Sequence, residues 1–531
     1  MFIEHPLIKK DSVELREYQV SLARSAQERS TLVVLPTGMG KTVVALLVIA
    51  DVLLKKKGKV LLMAPTKPLV EQHSRFLIEF LVGKKVAVMT GDTSPEEREA
   101  LWVENDVIAS TPQVVANDLR NGRASLKDVR LIIFDEAHRA VGNYAYVAVA
   151  KEYKEYGGLV LGMTASPGSD REKVREVCTN LGIDNIEVRT EHDPDVAKYV
   201  QDVKVQFIEV ELPAEIRKAT SILSSLYETY LKQLVGMGFL QDSDKVGTKD
   251  LLALGNELSA RLRSGERSKR LYQALSVNAM AIKVEHAIDL GETQGGTAML
   301  AYLERMREEA ASDDGSKATR AIVETEQFKA VMKMMKDLKV EHPKLSRVMS
   351  VVSRQISENP GSKVLVFTHY RDTCELVAGK LAKIDGVRVA KLIGQAGRAG
   401  DKGLKQREQV GVLQQFRDGE YNVLVATSVG EEGLDVASTD MVVFYEPVPS
   451  EIRSIQRRGR TGRRSAGKVV IFVTKGTRDQ AFYFSSLHKE RQMKSRLLTL
   501  KRELENGPEK SVEEDEKNKE LPKGQRSLLD F

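Results

Sequence analysis

The chain has 531 residues, 42% hydrophobic and 29% charged, with a formal net charge of +6. That length excludes a single small domain and suggests roughly three, while the mild positive balance suits a nucleic-acid binder without requiring one. No apolar run approaches the about 18 residues of a membrane span, and the opening MFIEHPLIKKDS lacks the layout of a secretory signal, so a cytoplasmic protein without membrane partners is expected.

In chain order, the first informative stretch is LPTGMGKT, residues 35–42. Leu32 to Leu35 reads as a buried strand and Thr42 to Leu54 as a helix, which makes PTGMGKT the turn between them. Gly38 and Gly40 free the backbone to aim N–H groups at one point, and such a nest at a helix N-terminus binds phosphate. Lys41 would reach the β- and γ-phosphates of ATP, and the Thr42 hydroxyl would ligate Mg²⁺. The general phosphate-loop pattern is not strictly met, because Leu35 occupies its first glycine position and proline follows.

VRLIIFDEAHRA supplies the second piece. Leu131 to Phe134 is wholly apolar, as in a strand covered on both faces, and it delivers Asp135 and Glu136 to the carboxyl end of a parallel sheet. Asp135 would hold Mg²⁺ through water, and Glu136 would orient and deprotonate the attacking water.

From Pro213 to about His342, helical stripes replace the strand and helix alternation: Ile216, Ala219, Leu223, Leu226, Tyr230 and Leu234 form one, and Ala274, Val277, Ala281, Val284 and Ile288 another. Phe328, Val331, Met335 and Leu338 continue the pattern, and Met332 and Met334 beside them read as packing residues. The basic run ARLRSGERSKR at 260–270 reads as a solvated face, with a duplex or branch contact as the alternative. Cys178 and Cys374 stand far apart with no CxxC or histidine cluster, so both read as packing residues rather than disulfide or zinc ligands.

SIQRRGRTGRRSAG follows, with six arginines between positions 453 and 464. A second lobe facing the first could insert Arg460 and Arg463 beside the γ-phosphate, where arginine fingers contribute roughly 10³ to 10⁵ in rate. After Leu504 the chain is charged, short of aromatics and bounded by prolines, which predicts a mobile tether. It ends in QRSLLDF, in which Gln525, Leu528 and Phe531 match the Q-x-x-L-x-x-F spacing of peptides that bind the sliding clamp (PCNA).

Taken together, REYQ (16–19), PTGMGKT, APTKPLVEQ (64–72), STPQV (110–114), DEAH, TAS (164–166), VLVFTHYRDT (364–373), ATSVGEEGLDV (426–436) and QRRGRTGR (456–463) resemble the ordered motifs of superfamily 2 helicases. The resemblance implies an α/β protein with two RecA-like parallel-sheet lobes closing on ATP and an inserted all-helical domain. The expected divisions are 1–200 (first lobe), 201–212 (connecting strand), 213–342 (helical, thumb-like insertion), 343–492 (second lobe) and 493–531 (charged flexible tail). The resemblance further implies that Gln19 reads the adenine edge, that Gly433 and Asp435 lie near the ribose and interdomain cleft, and that Gln456 joins Arg460 and Arg463 in catalysis. Thr164 and Ser166 would couple hydrolysis to lobe motion, and His138 would link the carboxylate pair to the opposing lobe. Thr66, Lys67, Thr111, Thr368, His369 and Thr427 would grip nucleic-acid phosphates.

The helical insertion is similar to that of the branch holding archaeal Hef, FANCM, and the RNA-sensing and Dicer helicases, with Hef the best match. It implies a 3′ to 5′ DNA helicase or translocase acting on forked, branched or single-stranded DNA in replication and repair, associated with the nucleoid in an archaeon. No nuclease carboxylate motif of the ERK type is present, so cutting is not expected. Two alternatives stand beside this reading: a double-stranded-RNA-dependent ATPase, and a clamp-tethered scaffold whose ATP site is a non-hydrolytic switch.

Overall fold

Short strands with almost no solvent-facing side chain organise the first lobe. β1 (Thr31–Val34), β2 (Lys59–Met63), β3 (Val86–Met89), β4 (Val107–Ser110), β5 (Val129–Asp135), β6 (Leu159–Thr164) and β7 (Asn185–Val188) pair in the order β3-β4-β2-β5-β6-β1-β7, all parallel. The computed structural model describes residues 1–168, 170–199, 203–243, 246–337, 341–394, 403–427, 439–448 and 467–506.

Eight helices accompany these strands: α1 (Glu17–Glu28), α2 (Lys41–Lys55), α3 (Lys67–Phe80), α4 (Pro95–Glu104), α5 (Pro112–Arg120), α6 (Ala145–Tyr153), α7 (Arg171–Leu181) and the single turn α8 (Pro194–Ala197). Because strand side chains alternate, Val33 packs into one core with Leu22 of α1, Val44 of α2 and Val70 of α3, while Leu32 and Val34 pack into another with Val115 of α5, Tyr146 of α6 and Val177 of α7. Covering both faces in this way is what a parallel sheet requires.

The second sheet joins β8 (Val203–Val210), β9 (Val364–Phe367), β10 (Val389–Leu392), β11 (Val423–Ala426), β12 (Met441–Phe444) and β13 (Gly467–Thr474) in the order β10-β11-β9-β12-β13-β8, again all parallel. The predicted connector is thus more than a link. Over Val203–Val210 it is the edge strand of this second sheet, in register with all of β13.

Between β8 and the rest of that lobe stand α9 (Ala214–Gly236), α10 (Thr248–Arg263), α11 (Lys269–Thr293), α12 (Gly296–Ala311), α13 (Lys317–Val323) and α14 (Glu326–Lys336), sharing one apolar core. Both long stripes read from the sequence are buried, and Met332 and Met335 lie inside with Met334 packed against them. Leu338 lies outside the described residues. In the basic run, Arg261 and Arg270 lie over the Phe239 ring at 5.6 and 5.8 Å, while Arg263, Arg267 and Lys269 are exposed.

The chain re-enters the second lobe through α15 (Pro343–Glu358), α16 (Arg371–Leu381) and α17 (Gln406–Asp418), and closes with α18 (Arg478–Asn506). This last helix corrects the expected tail boundary. Residues 493–506 are helical, and Met493, Leu497 and Leu500 are buried in the first lobe's core, so the apolar spacing of this stretch outweighs its charge. Cys178 and Cys374 are both buried and free, and no helix among the described residues is long and apolar enough to cross a membrane.

Helical bundle and second lobe meet around a buried ion pair. Lys344 at the start of α15 and Asp479 at the start of α18 are 0% and 1% exposed and pair directly. The Lys344 ammonium also donates to the Thr293 carbonyl at 3.2 Å, and Asp479 accepts from the backbone N–H and hydroxyl of Thr474 at 3.1 and 2.9 Å. Removing one partner strands a charge in the interior. Lys344→Ala or Asp479→Ala should each cost about 3–5 kcal/mol in urea unfolding, whereas Lys344→Met combined with Asp479→Leu should cost less than the sum.

Candidate nucleotide site

The turn after β1 is held by contacts that the glycines permit. Gly38 and Gly40 both take left-handed backbone angles, φ 87° and 82°, and Gly40 is the residue at the head of α2. A Cβ on Gly40 would stand 2.3 Å from Gln19 Nε2, so a side chain there would force the Gln19 amide out of its present position. Gln19 Nε2 donates to the Met39 carbonyl at 3.0 Å, and the Tyr18 hydroxyl donates to the same oxygen at 2.7 Å. Gln19 is buried, and its Oε1 finds no hydrogen-bond partner among the described residues. An amino-bearing base edge is the complement such an acceptor lacks.

Lys41 donates from Nζ to the Leu35 carbonyl at 3.0 Å, which keeps the ammonium folded over the turn. Leu35 is itself fully buried, and its N–H bonds to the Thr164 carbonyl at 3.1 Å, so the position that the phosphate-loop pattern reserves for glycine serves here as an extension of β1. Thr42 follows in the first turn of α2, half-buried.

Two strands away, β5 ends in Asp135. Burial pushes its carboxyl upward, but the adjacent His73, then Lys41 and the Glu136 backbone, outweigh that and hold it below its ordinary range. His73 Nε2 lies 2.8 Å from Asp135 Oδ2. Tyr146 donates its hydroxyl to the Asp135 carbonyl oxygen at 2.7 Å and spans to the Met63 carbonyl at 3.2 Å; burial, followed by the Asp135 charge, pushes that hydroxyl well above its usual range and keeps it a donor. Glu136 then turns into the left-handed region, φ 49°, which re-aims its side chain at the end of the strand.

His138 lies two residues beyond Glu136. Its Nδ1 lies 3.1 Å from Thr164 Oγ1 and 3.4 Å from Glu136 Oε2, so these contacts tie the carboxylate turn to the TAS stretch within one lobe. Thr164 Oγ1 donates to the Ser166 carbonyl at 3.0 Å, and Ser166 Oγ meets Met493 Sδ of α18 at 3.0 Å. Ser166 thus joins this network to α18.

The donor set fits a hard cation. Thr42 and Asp135 offer oxygen only, and no group of three or more His, Cys, Asp or Glu side chains among the described residues forms a metal cage. Mg²⁺ suits such a site, since it keeps waters and is shared with substrate phosphates.

The expected nucleic-acid residues divide in two. Thr66 and Thr111 precede α3 and α5, where first-turn N–H groups point outward, and His369 is exposed. Lys67 pairs with Asp92, and Arg407 of α17 in the second lobe lies near enough to act on that pair electrostatically. Thr368 has no accessible surface, and its N–H bonds to the Ala426 carbonyl at 2.9 Å. Thr427 is buried too, with its N–H on the Leu392 carbonyl at 3.1 Å. Gly433, Asp435, Gln456, Arg460, Arg463, Gln525, Leu528 and Phe531 lie outside the described residues.

His73, Tyr146 and Met493 are the residues sequence reasoning missed. Nothing in one sequence says which strand end or loop a side chain on a given helix will meet.

Comparison with known proteins agrees with this geometry. The family profile "DEAD/DEAH box helicase" matches residues 16–174, "Helicase conserved C-terminal domain" matches 344–465, and a profile for the helical bundle of an RNA helicase matches 214–342. A Methanocaldococcus jannaschii protein, provisionally named an ATP-dependent RNA helicase, is 42% identical over 500 residues, covering 94% of this chain and 62% of its own length. ATP-dependent DNA helicase mph1 of Neurospora crassa is 32% identical over 485 residues, with 88% of this chain and 42% of that protein covered. The Fanconi anemia group M protein homolog of Mus musculus is 32% identical over 520 residues, at 90% and 25% coverage. The chain therefore spans less than two thirds of these curated relatives. The crystal structure of the Pyrococcus furiosus Hef helicase domain is 44% identical, with a TM-score of 0.68, and covers 90% of this chain and 100% of that one.

Gly40→Ala tests the turn. A left-handed backbone costs a non-glycine residue about 1–2 kcal/mol, so nucleotide affinity should fall roughly tenfold or more, given the added collision with Gln19. Titration with a fluorescent ATP analogue reads this out, and any fall in the melting temperature of the free protein measures how much of the strain is borne without nucleotide.

Proposed function

Because the chain belongs to the superfamily 2 helicases of the Hef and FANCM type, we propose that it is an ATP-dependent DNA translocase that remodels forked or branched DNA. The observation that carries the reading is the convergence of the Lys41 turn, the ionised Asp135 and the open acceptor of Gln19 on one edge of the first sheet. Gln19 Oε1 accepts from the adenine amino group. Lys41 exchanges the Leu35 carbonyl for the β- and γ-phosphates. Thr42 and Asp135 hold Mg²⁺, which when bound shields phosphate charge and orients the terminal phosphoryl group. Glu136 positions water in line with that group and takes its proton. Gln456, Arg460 and Arg463 close on the phosphate from the second lobe, with Gly433 and Asp435 beside the ribose.

Thr164 and Ser166 respond to lobe closure. Thr66, Lys67, Thr111 and His369 lie along the nucleic-acid track and meet phosphates rather than bases, with Lys67 leaving Asp92 for the backbone. The polarity assigned is 3′ to 5′, and the exposed Arg263, Arg267 and Lys269 of the bundle face the duplex arm.

DNA is preferred over RNA because the mph1 relatives are named as DNA helicases, although the Methanocaldococcus jannaschii relative carries an RNA name. ATPase stimulation across single-stranded DNA, duplex, forks, four-way junctions and double-stranded RNA decides between them. Forks and junctions should stimulate most, and Lys41→Ala should abolish turnover on every substrate. Stimulation by RNA alone would overturn the DNA assignment, and absent turnover in the unaltered protein would favour the scaffold.

The C-terminal QRSLLDF assigns the sliding clamp as a partner, with Gln525 in a polar pocket and Leu528 and Phe531 in an apolar one. Clamp recovery by the full chain should exceed that by a chain lacking residues 525–531; equal recovery removes this partner.

A further inference from the structure

His73 has no role in the motifs, yet it is 5% exposed and touches the most consequential carboxylate of the first lobe. It lies two turns into α3, within EQHSRF, and its Nε2 meets Asp135 Oδ2 at 2.8 Å. Its Nδ1 is buried and finds no partner among the described residues. A proton on Nδ1 would be buried without an acceptor, whereas an unpartnered lone pair there is far less costly. An ionised carboxylate only accepts. Both facts put the proton on Nε2, donated to Asp135.

We propose that His73 is a positioning residue for the nucleotide reaction: by donating to Oδ2 it fixes the rotation of the Asp135 carboxylate and leaves Oδ1 to serve the Mg²⁺ shell. The Tyr146 hydroxyl pins the backbone of the same residue at 2.7 Å, so side chain and main chain of Asp135 are held separately, from α3 and from α6. Holding a ligand by a second donor is how outer-shell groups orient metal-binding side chains, and losing such a donor typically lowers metal affinity about 10- to 100-fold. The inference rests on the metal assignment made for Thr42 and Asp135.

The test compares His73→Met, which fills the space without a donor, with His73→Gln, which keeps one. Mg²⁺ is titrated against binding of a fluorescent ADP analogue, and separately against DNA-stimulated ATPase. His73→Met should raise the Mg²⁺ midpoint in both assays by about tenfold or more, with metal-free nucleotide binding, DNA affinity and melting temperature unchanged. His73→Gln should restore most of the loss. An unchanged midpoint in His73→Met, or equal impairment in both variants, overturns the positioning role. Asp135→Asn separates the premise from the inference: if it too leaves the midpoint of binding unchanged, the metal assignment fails and the role of His73 fails with it.

Discussion

A carboxylate buried at the end of a parallel strand favours its protonated form, and the nucleotide site depends on the opposite outcome at Asp135. Desolvation is the largest influence on that group, and the opposing effects of His73, Lys41 and the Glu136 backbone N–H outweigh it. These three come from α3, from the first turn of α2 and from the residue after β5. The ionised state is therefore a property of the folded lobe rather than of the DEAH stretch alone. Any shift of α3 against β5 acts first on this balance.

The same problem is solved a second time where the helical bundle meets the second lobe. Lys344 and Asp479, at 0% and 1% exposure, are more deeply covered than Asp135. Their neighbours supply a carbonyl to the cation and a backbone N–H and a hydroxyl to the anion. Further polar contacts join the same surfaces: Tyr370 donates to Asp289 at 2.8 Å, Thr373 to Gln294 at 2.6 Å, and Arg478 to Glu285 at 2.7 Å. An interface of this kind is specific in orientation, because sliding it by one residue would strand several buried polar groups at once.

Chemistry carried by contiguous residues was legible in the sequence: the phosphate turn, the Asp135 and Glu136 pair, and the helical stripes of the insertion all lie where periodicity and turn residues put them. What one sequence could not convey was which elements would meet. Gly40 was read as a residue that bares backbone to phosphate, and the structure adds the close approach of Gln19 as a second reason. Thr368 was placed on the nucleic-acid track by its motif, and the structure buries it just past β9 while leaving the neighbouring His369 exposed. The charged residues 493–506 resembled the tail that follows them, and only the partner surface on the first lobe reveals the apolar side of that stretch.

That partner surface makes α18 a mechanical element. At 29 residues the helix is about 43 Å long, enough to begin on the bundle and second lobe and finish on the first. Its far end is held in two ways. Glu503 pairs with Arg171 and Arg175, and Lys501 with Glu187 at 3.0 Å; with arginines 40% and 55% exposed, such pairs contribute at most about 1 kcal/mol each. Leu497 and Leu500, 2% and 1% exposed, contribute roughly 1.5–3 kcal/mol each through burial. The apolar contacts are therefore the stronger hold of this end of α18 on the first lobe. Met493 is the residue touching Ser166, and Ser166 is tied through Thr164 and His138 to the turn bearing Glu136. Helix α18 is therefore connected to the carboxylate turn through a run of contacting side chains that is separate from the phosphate turn.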